Sequence, residues 1–347
     1  MKSRFTYTLL LLPLLAPMLR AEETPPPTEN ARHSGVFTLY FENDYFGGQD
    51  RHYTNGLKLS WLTSDLSAWG PLGWHQKFAD SLPFITNGPD AQKNFGFAFG
   101  QNMYTPQDTQ RVPPDPTDRP YAGWTYLEFS VVSKTASVMD TLSLQVGMVG
   151  RHSYAQDAQQ VVHEWLNDSR PRGWDYQIHD EVGVNLVFER QWRLYARSFG
   201  HLVGVDLTPH AGASLGNVQT FANAGVTARL GFNLPSDFGV SLIGATSATN
   251  GPLDDRDPRV SRHRSWSLFA FGGVNGKAVA RDIFLDGNTF RSSPSVDREN
   301  FVADAYYGLG VVLGRWQLTY TEAVRTKEFK GQHGKNYYGS VALSRTF

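Results

Sequence analysis

The chain has 347 residues, 32 basic against 33 acidic, and no cysteine. The missing cysteines exclude a disulfide scaffold, a thiolate zinc site and a cysteine nucleophile, and the near-neutral charge argues against a nucleic-acid partner. A mean hydropathy of -0.38 excludes a helical membrane protein, yet aromatics reach 13% and glycine numbers 33, more than a plain soluble enzyme carries. In chain order, residues 1–21 come first. Lys2 and Arg4 precede an apolar run from Tyr7 to Met18, and Ala21 suits the residue before a cut. That pattern predicts a secretory signal peptide, too short to span a bilayer. Residues 22–33, rich in Pro and Glu, read as a disordered linker. The remaining 34–347 read as one domain.

From Ser34 onward the dominant signal is two-residue alternation. Phe37, Leu39 and Phe41 alternate with Thr38, Tyr40 and Glu42; Leu57, Leu59 and Trp61 with Lys58 and Ser60. The same pattern recurs at 142–148, 182–189, 222–230 and 316–321, and the chain ends on Tyr337, Val341, Leu343 and Phe347. About twelve such segments, many of roughly 9–13 residues, match tilted membrane-crossing strands better than the shorter strands of a soluble sandwich. The expected fold is therefore all-β: a transmembrane antiparallel barrel of about twelve strands, with a short helix in an outer loop. One face of each strand is apolar and the other polar, which reconciles many aromatics with a polar average. Tyr40, Trp61, Trp124, Tyr126, Trp192, Trp266 and Trp316 lie where aromatic girdles belong, and Arg345 could snorkel at the interface.

With both termini in the periplasm, the outer loops fall near 44–53, 104–119, 152–177, 217–219, 281–300 and 328–335. The inner stretches 65–92 and 233–263 are long for periplasmic turns; periodicity gives them no role, although Trp69 and Trp74 suit an interface. One outer segment is helical. Residues 155–168 place Ala155, Ala158, Val161, Val162, Trp165 and Leu166 on one stripe, with Gln159 and His163 an i, i+4 pair at its edge. Such a helix could rest on the barrel and aim His163 into a crevice; the competing reading is a solvated helix with an exposed histidine.

The first outer loop concentrates Glu42, Asn43, Asp44 and Asp50, oxygen ligands that hard cations such as Ca²⁺ accept. Asx-turn chemistry explains them equally simply. Arg111 and Arg119 suit anionic headgroups. Gly212-Ala213-Ser214-Leu215-Gly216 spells a nucleophile elbow, but it lies between alternating strands, where an elbow needs a strand-to-helix turn.

Five blocks in order, F-E-N-D-Y-F-G-G-x-D-R-x-Y-T-N-G (41–56), Q-N-M-Y-T-P (101–106), D-R-P-Y-A-G-W (118–124), Q-x-x-x-H (159–163) and G-W-x-x-Q (173–177), resemble the outer-membrane lipid A 3′-O-deacylases. The resemblance spans essentially the whole mature chain. It implies a twelve-stranded barrel whose active site lies between the wall and a helix of an outer loop. It implies His163 as general base, with Asn43, Asp44, Thr54 and Gln159 completing the catalytic cluster and Asn43 and Asp44 holding Ca²⁺. Tyr104, Arg111 and Arg119 would bind the substrate, lipid A of the outer leaflet. Two departures stand out. A lysine that some relatives carry in the second outer loop is at best Arg111, and an acid six residues after the histidine falls on Ser169. The rival functions are a non-catalytic porin or adhesin barrel, and a phospholipase using Ser153 beside His152.

Overall fold

The computed structural model describes residues 28–44, 52–69, 73–166, 169–199, 202–240 and 250–347; the expected signal peptide lies outside them. The strands are β1 (Val36–Asn43), β2 (His52–Leu62), β3 (Gln92–Thr105), β4 (Ala122–Lys134), β5 (Val138–Val149), β6 (Glu181–Trp192), β7 (Tyr195–Phe199), β8 (Val203–Gly216), β9 (Gln219–Phe232), β10 (Trp266–Asp282), β11 (Phe301–Leu313), β12 (Trp316–Arg325) and β13 (Asn336–Thr346). Each pairs antiparallel with its sequence neighbour. The ring closes twice over: β1 pairs β13 from Val36↔Thr346 to Asn43↔Gly339, and β6 pairs β8 from Asn185↔Gly216 to Gln191↔His210. The short β7 continues β6 past a break and pairs the start of β8, so the wall counts as a closed barrel of twelve strands. Closure leaves no sheet edge, which is the condition for backbone to cross lipid as strands.

The alternation sets the two faces. Phe37, Leu59, Trp61, Phe97, Leu127, Val146 and Leu186 point outward and are exposed, Leu127 by 66%. Inward, Lys58 Nζ donates to Glu128 Oε2 at 3.1 Å, Gln145 Nε2 donates to the same oxygen at 2.8 Å, and Asn185 Nδ2 donates to Gln145 at 3.3 Å. An apolar exterior around a hydrogen-bonded polar interior is the reverse of a soluble protein. Among the aromatics expected in girdles, Trp61, Trp192, Trp266 and Trp316 are outward and exposed, whereas Tyr40, Trp124 and Tyr126 are buried. Their strand positions have the inward parity, and proximity to a strand end does not reveal which face a ring takes. Arg345 stands over the Trp316 ring at 5.4 Å. No helix among the described residues is long and apolar enough to cross a membrane.

All long loops expected outside share one rim, and the chain ends and the two long inner stretches share the other. The inner stretches have distinct roles. The helix α2 (Trp74–Ser81), following the α1 turn (Glu29–Arg32), lies against the outward wall, with the Phe78 ring 6.4 Å from Phe95 and 6.5 Å from Phe129. Trp74 and Phe84 stay 75% and 73% exposed, extending the apolar exterior. The described parts of 233–265, on either side of 241–249, instead turn into the lumen. Their Phe238 and Leu253 bury against Val36, Leu62, Val132 and Met139, and Lys134 Nζ donates to the carbonyls of Gly251 and Pro252 at 3.2 and 3.3 Å. The α1 turn corrects the linker expectation at its end: Ala31 is fully buried and Arg32 forms an ion pair with Asp65. Composition signals disorder there, but docking on the barrel supplies the contacts that the segment lacks alone.

At the loop rim, the turn α4 (Ile283–Asp286) inserts Ile283 and Phe284 into an apolar cluster with Tyr104, Trp124, Tyr126, Val218, Ala323 and Tyr338. These come from β3, β4, β12, β13 and the turn between β8 and β9, so α4 packs against the inward wall at this rim. Because Lys58 and Glu128 are almost fully buried, removing one strands the other. Lys58→Met should cost about 3–5 kcal/mol, and Lys58→Met with Glu128→Leu should recover most of that loss, measured by denaturant unfolding in detergent micelles.

Candidate active site

The site is built from one row across the outward wall. Asn43 on β1 pairs Asn55 on β2, Asn55 pairs Met103 on β3, and Met103 pairs Gly123 on β4. On the β3–β4 part of this row sits the helix α3 (Ala155–Leu166); the last two residues of the 155–168 segment read as helical lie outside the described residues. Met103 is buried under Ala155, Tyr121 and Trp174, with Ala158 packed beside them. Gly123 permits that approach. A Cβ there would lie 2.2 Å from Ser153 Oγ and 2.3 Å from Ala155 Cβ, well inside van der Waals contact. Two outward polar side chains fix the start of the helix: Thr125 Oγ1 and Gln101 Nε2 both donate to the Ser153 carbonyl, at 2.6 and 2.8 Å.

The helix is turned differently from its apolar stripe. Ala155, Gln159 and His163, spaced four apart, are buried towards the wall, while Val161 is 45% exposed. The expectation that Val161 packs inward fails for a physical reason. This helix flanks a lipid-facing wall, so its far side need not be polar, and polar groups can turn inward where partners exist. The side chains of Trp165 and Leu166 lie outside the described residues.

His163 is 8% exposed, and its Nδ1 is 2.7 Å from the Ser169 carbonyl oxygen. A carbonyl only accepts, so Nδ1 carries the proton and Nε2 carries the lone pair. Ser169 is the position where the resemblance places an acid; its main-chain oxygen orients the ring instead. Gln159 accepts from Trp174 Nε1 at 2.7 Å through Oε1, and its buried Nε2 has no protein partner among the described residues. The indole therefore fixes which end of the amide is which and leaves its two N–H donors unused by the described protein groups.

The other expected residues divide between two faces. Asn43 is half-buried on the outward row, and Asp44, next along, is 2% exposed. Thr54 sits at the register shift between Tyr53 and Asn55; its side chain lies outside the described residues. Arg111 is half-exposed and forms an ion pair with Asp115, whose carboxyl is held below its usual range by hydrogen bonds from Thr117. Its loop is tied to the segment after α3, since Arg172 N donates to the Thr109 carbonyl at 2.9 Å and Gln110 Nε2 to that of Arg170 at 3.1 Å. Arg111 therefore shares the corner of α3. Tyr104 and Arg119 do not: they face the lumen, where Arg119 is buried, lies 4.6 Å over the Tyr104 ring and donates to Glu328 at 3.2 Å. Parity explains the split, since Tyr104 follows the outward Met103 by one residue.

The Ser–His alternative is not assembled. Ser153 is fully buried with Oγ donating to the Gly150 carbonyl, and the His152 ring binds Asp180 at 2.6 Å. Ser214 lies inside β8, as its alternation implies. Trp174, Asn55 and Gly123 were not singled out from sequence, although all three lie inside the five blocks.

The sequence profile of the family described as outer membrane protein LpxR matches residues 7–347. The chain belongs to the LpxR family. The family resemblance carried by the five blocks is thereby borne out, and with it an outer-membrane barrel. No curated protein sequence matches. Among solved structures, LpxR from Salmonella typhimurium superposes with a TM-score of 0.69 at 18% identity, covering 90% of this chain and 100% of that one. The β domain of the Bordetella autotransporter BrkA reaches only 0.39 at 9% identity, over 90% and 98%. In this LpxR-family barrel, Gly123→Val should lift α3 from the wall while the barrel still folds. Near-native strand content by circular dichroism, with rapid proteolysis between β5 and β6, is the expected result.

Proposed function

We propose that this protein is an outer-membrane esterase that removes the 3′-O-linked acyl chain of lipid A in the outer leaflet. Membership of the LpxR family supports the substrate class. The observation that carries the chemistry is the buried, oriented His163 on the wall side of α3, with the Nδ1 proton bound to the Ser169 carbonyl. In this reading Nε2 takes a proton from a water as the water oxygen attacks the ester carbonyl carbon. The resulting imidazolium then returns the proton to the departing sugar oxygen, giving a free fatty acid and a sugar hydroxyl. No covalent acyl-enzyme forms. The Ser169 carbonyl stabilises the imidazolium through a charge-assisted hydrogen bond. The Gln159 amide, locked by Trp174, donates to the oxyanion as charge develops on the carbonyl oxygen. Arg111 is placed to meet a glucosamine phosphate, whereas Arg119 and Tyr104 brace the lumen beneath.

Asn43 and the buried Asp44 offer oxygen donors only, which suits a hard cation such as Ca²⁺. No group of three carboxylate or imidazole side chains converges among the described residues, so main-chain oxygens, water or substrate would complete the shell. A bound cation there would supply Lewis-acid stabilisation of the oxyanion.

Mass spectrometry of lipid A from cells producing each variant tests the reading. The wild type should yield a 3′-O-deacylated species, His163→Ala none, and Gln159→Ala a level lowered in line with a loss of about 10²–10³ in kcat. Equal deacylation by wild type and His163→Ala would refute it. Separately, excess chelator should abolish turnover by the purified protein and added Ca²⁺ restore it; full activity in chelator would remove the cation from Asn43 and Asp44.

A further inference from the structure

At the opposite rim, where the chain ends lie, the junction between β6 and β7 and the inserted stretch 233–265 enclose a cavity of about 60 Å³ lined by Arg193, Arg197, Arg256 and Arg264 together with Ser236 and Asp206. One water needs about 10–15 Å³ of such space, so the cavity has the size of a small polyatomic anion and not of a sugar. Arg197 turns its side chain to the outward face, paired with Val205 and 5.3 Å over the Phe199 ring, which leaves Arg193, Arg256 and Arg264 to charge the cavity. Guanidinium groups around so small a space repel one another unless acids neutralise them.

The local acids are already engaged. Asp206 and Asp237 both bind Arg229, the first at 2.5 Å, and Asp237 is shared further with Arg259. Asp254 binds Arg256 at 2.8 Å and accepts from Ser236. Arg193, Arg197 and Arg264 have no ion-pair partner among the described residues. Arg193 is the decisive one. It is 8% exposed, it donates only to Ser236 Oγ at 3.3 Å through Nη1, and its buried Nε has no partner. Burial pulls its pKa down, Asp206 offsets part of this, and Arg229 and Arg256 add to the effect. A buried guanidinium without a carboxylate partner, beside Arg256 and Arg264 at one cavity, is a costly arrangement that a bound anion would relieve.

We propose that this cavity is a binding site for a phosphate-class anion, held by Arg193 from within and by Arg256 and Arg264 from the rim. The chemistry is shared by inorganic phosphate and by the phosphodiester of an anionic phospholipid in the adjoining leaflet. The site is distant from α3 and independent of the proposed ester hydrolysis.

Isothermal titration of the full-length protein in uncharged detergent micelles tests it, in two arms at chloride-matched ionic strength. One arm uses inorganic phosphate, the other a soluble short-chain phosphatidylglycerol. Saturable binding of phosphate assigns a free-anion site, and binding of the lipid alone assigns a headgroup site; both support the proposal if the variants weaken them. Loss of one charge-assisted contact, in Arg264→Gln, should lower affinity about tenfold, and Arg193→Gln should abolish binding. If Arg193→Gln does not fold, Arg256→Gln and Arg264→Gln, altered at the accessible side, still decide. No saturable binding in either arm, or binding unchanged in the variants, overturns the proposal.

Discussion

Backbone that crosses lipid must satisfy every N–H and C=O within the protein, and the rest of this molecule follows from that constraint. It demands the double closure of β1 on β13 and β6 on β8. Closure in turn makes the two-residue period absolute, because a slip of one residue would exchange the lipid-facing set for the lumenal one. With twelve wall strands in sequence order, every second connection must fall on the same rim. Residues as distant as Asn43, Met103, Gly123 and His163 are thereby brought to one corner. No long-range recognition between these segments is needed beyond strand pairing.

The lumen obeys a second requirement. Its charges are out of bulk water and must be paired, and the two long inner stretches contribute to this unequally. The 233–265 stretch supplies Asp237 and Arg259, which extend the Arg229–Asp206 pair into a network, while α2 stays outside on Phe95 and Phe129. Above them, α4 and the Arg119–Glu328 pair tie the second and sixth outer loops to the lumenal wall. The platform under α3 is therefore a closed wall braced from within by ion pairs and the α4 cluster, and a site carried on such elements is held more precisely than one on loops.

Much of this was legible in the sequence because alternation is a local signal with a global meaning. Strand number, loop assignment and the helix at 155–166 could all be read from periodicity alone. Three things could not. The face taken by Trp124, Tyr126 and Tyr104 depends on strict parity counted from a register, not on proximity to a strand end. The rotation of α3 was misjudged because an apolar stripe marks the buried side only when the alternative surroundings are water. The roles of Ser169 and Gly123 rest on a main-chain oxygen and on a missing Cβ, which no side-chain chemistry announces. The resemblance filled part of this gap: it gave His163 and Gln159, already an i, i+4 pair by helical spacing, a shared catalytic role, and it carried Trp174 and Gly123 inside its blocks without explaining them.

The turn of α3 also fixes how a substrate would arrive. The helix that carries His163 and Gln159 rests on the outward surface of β3 and β4, on a row that runs from Asn43 to Gly123. Immediately below that row the same wall presents Phe97, Phe99, Leu57 and Leu127, all exposed. An ester whose acyl chain lies along those side chains would enter the crevice from the bilayer, sideways, with its sugar headgroup at the rim beside Arg111. In the proposed reaction the membrane-facing wall and the reaction site are therefore one surface. The apolar strand residues hold the acyl chain in register, and the polar row above them marks where the chain ends and the ester begins.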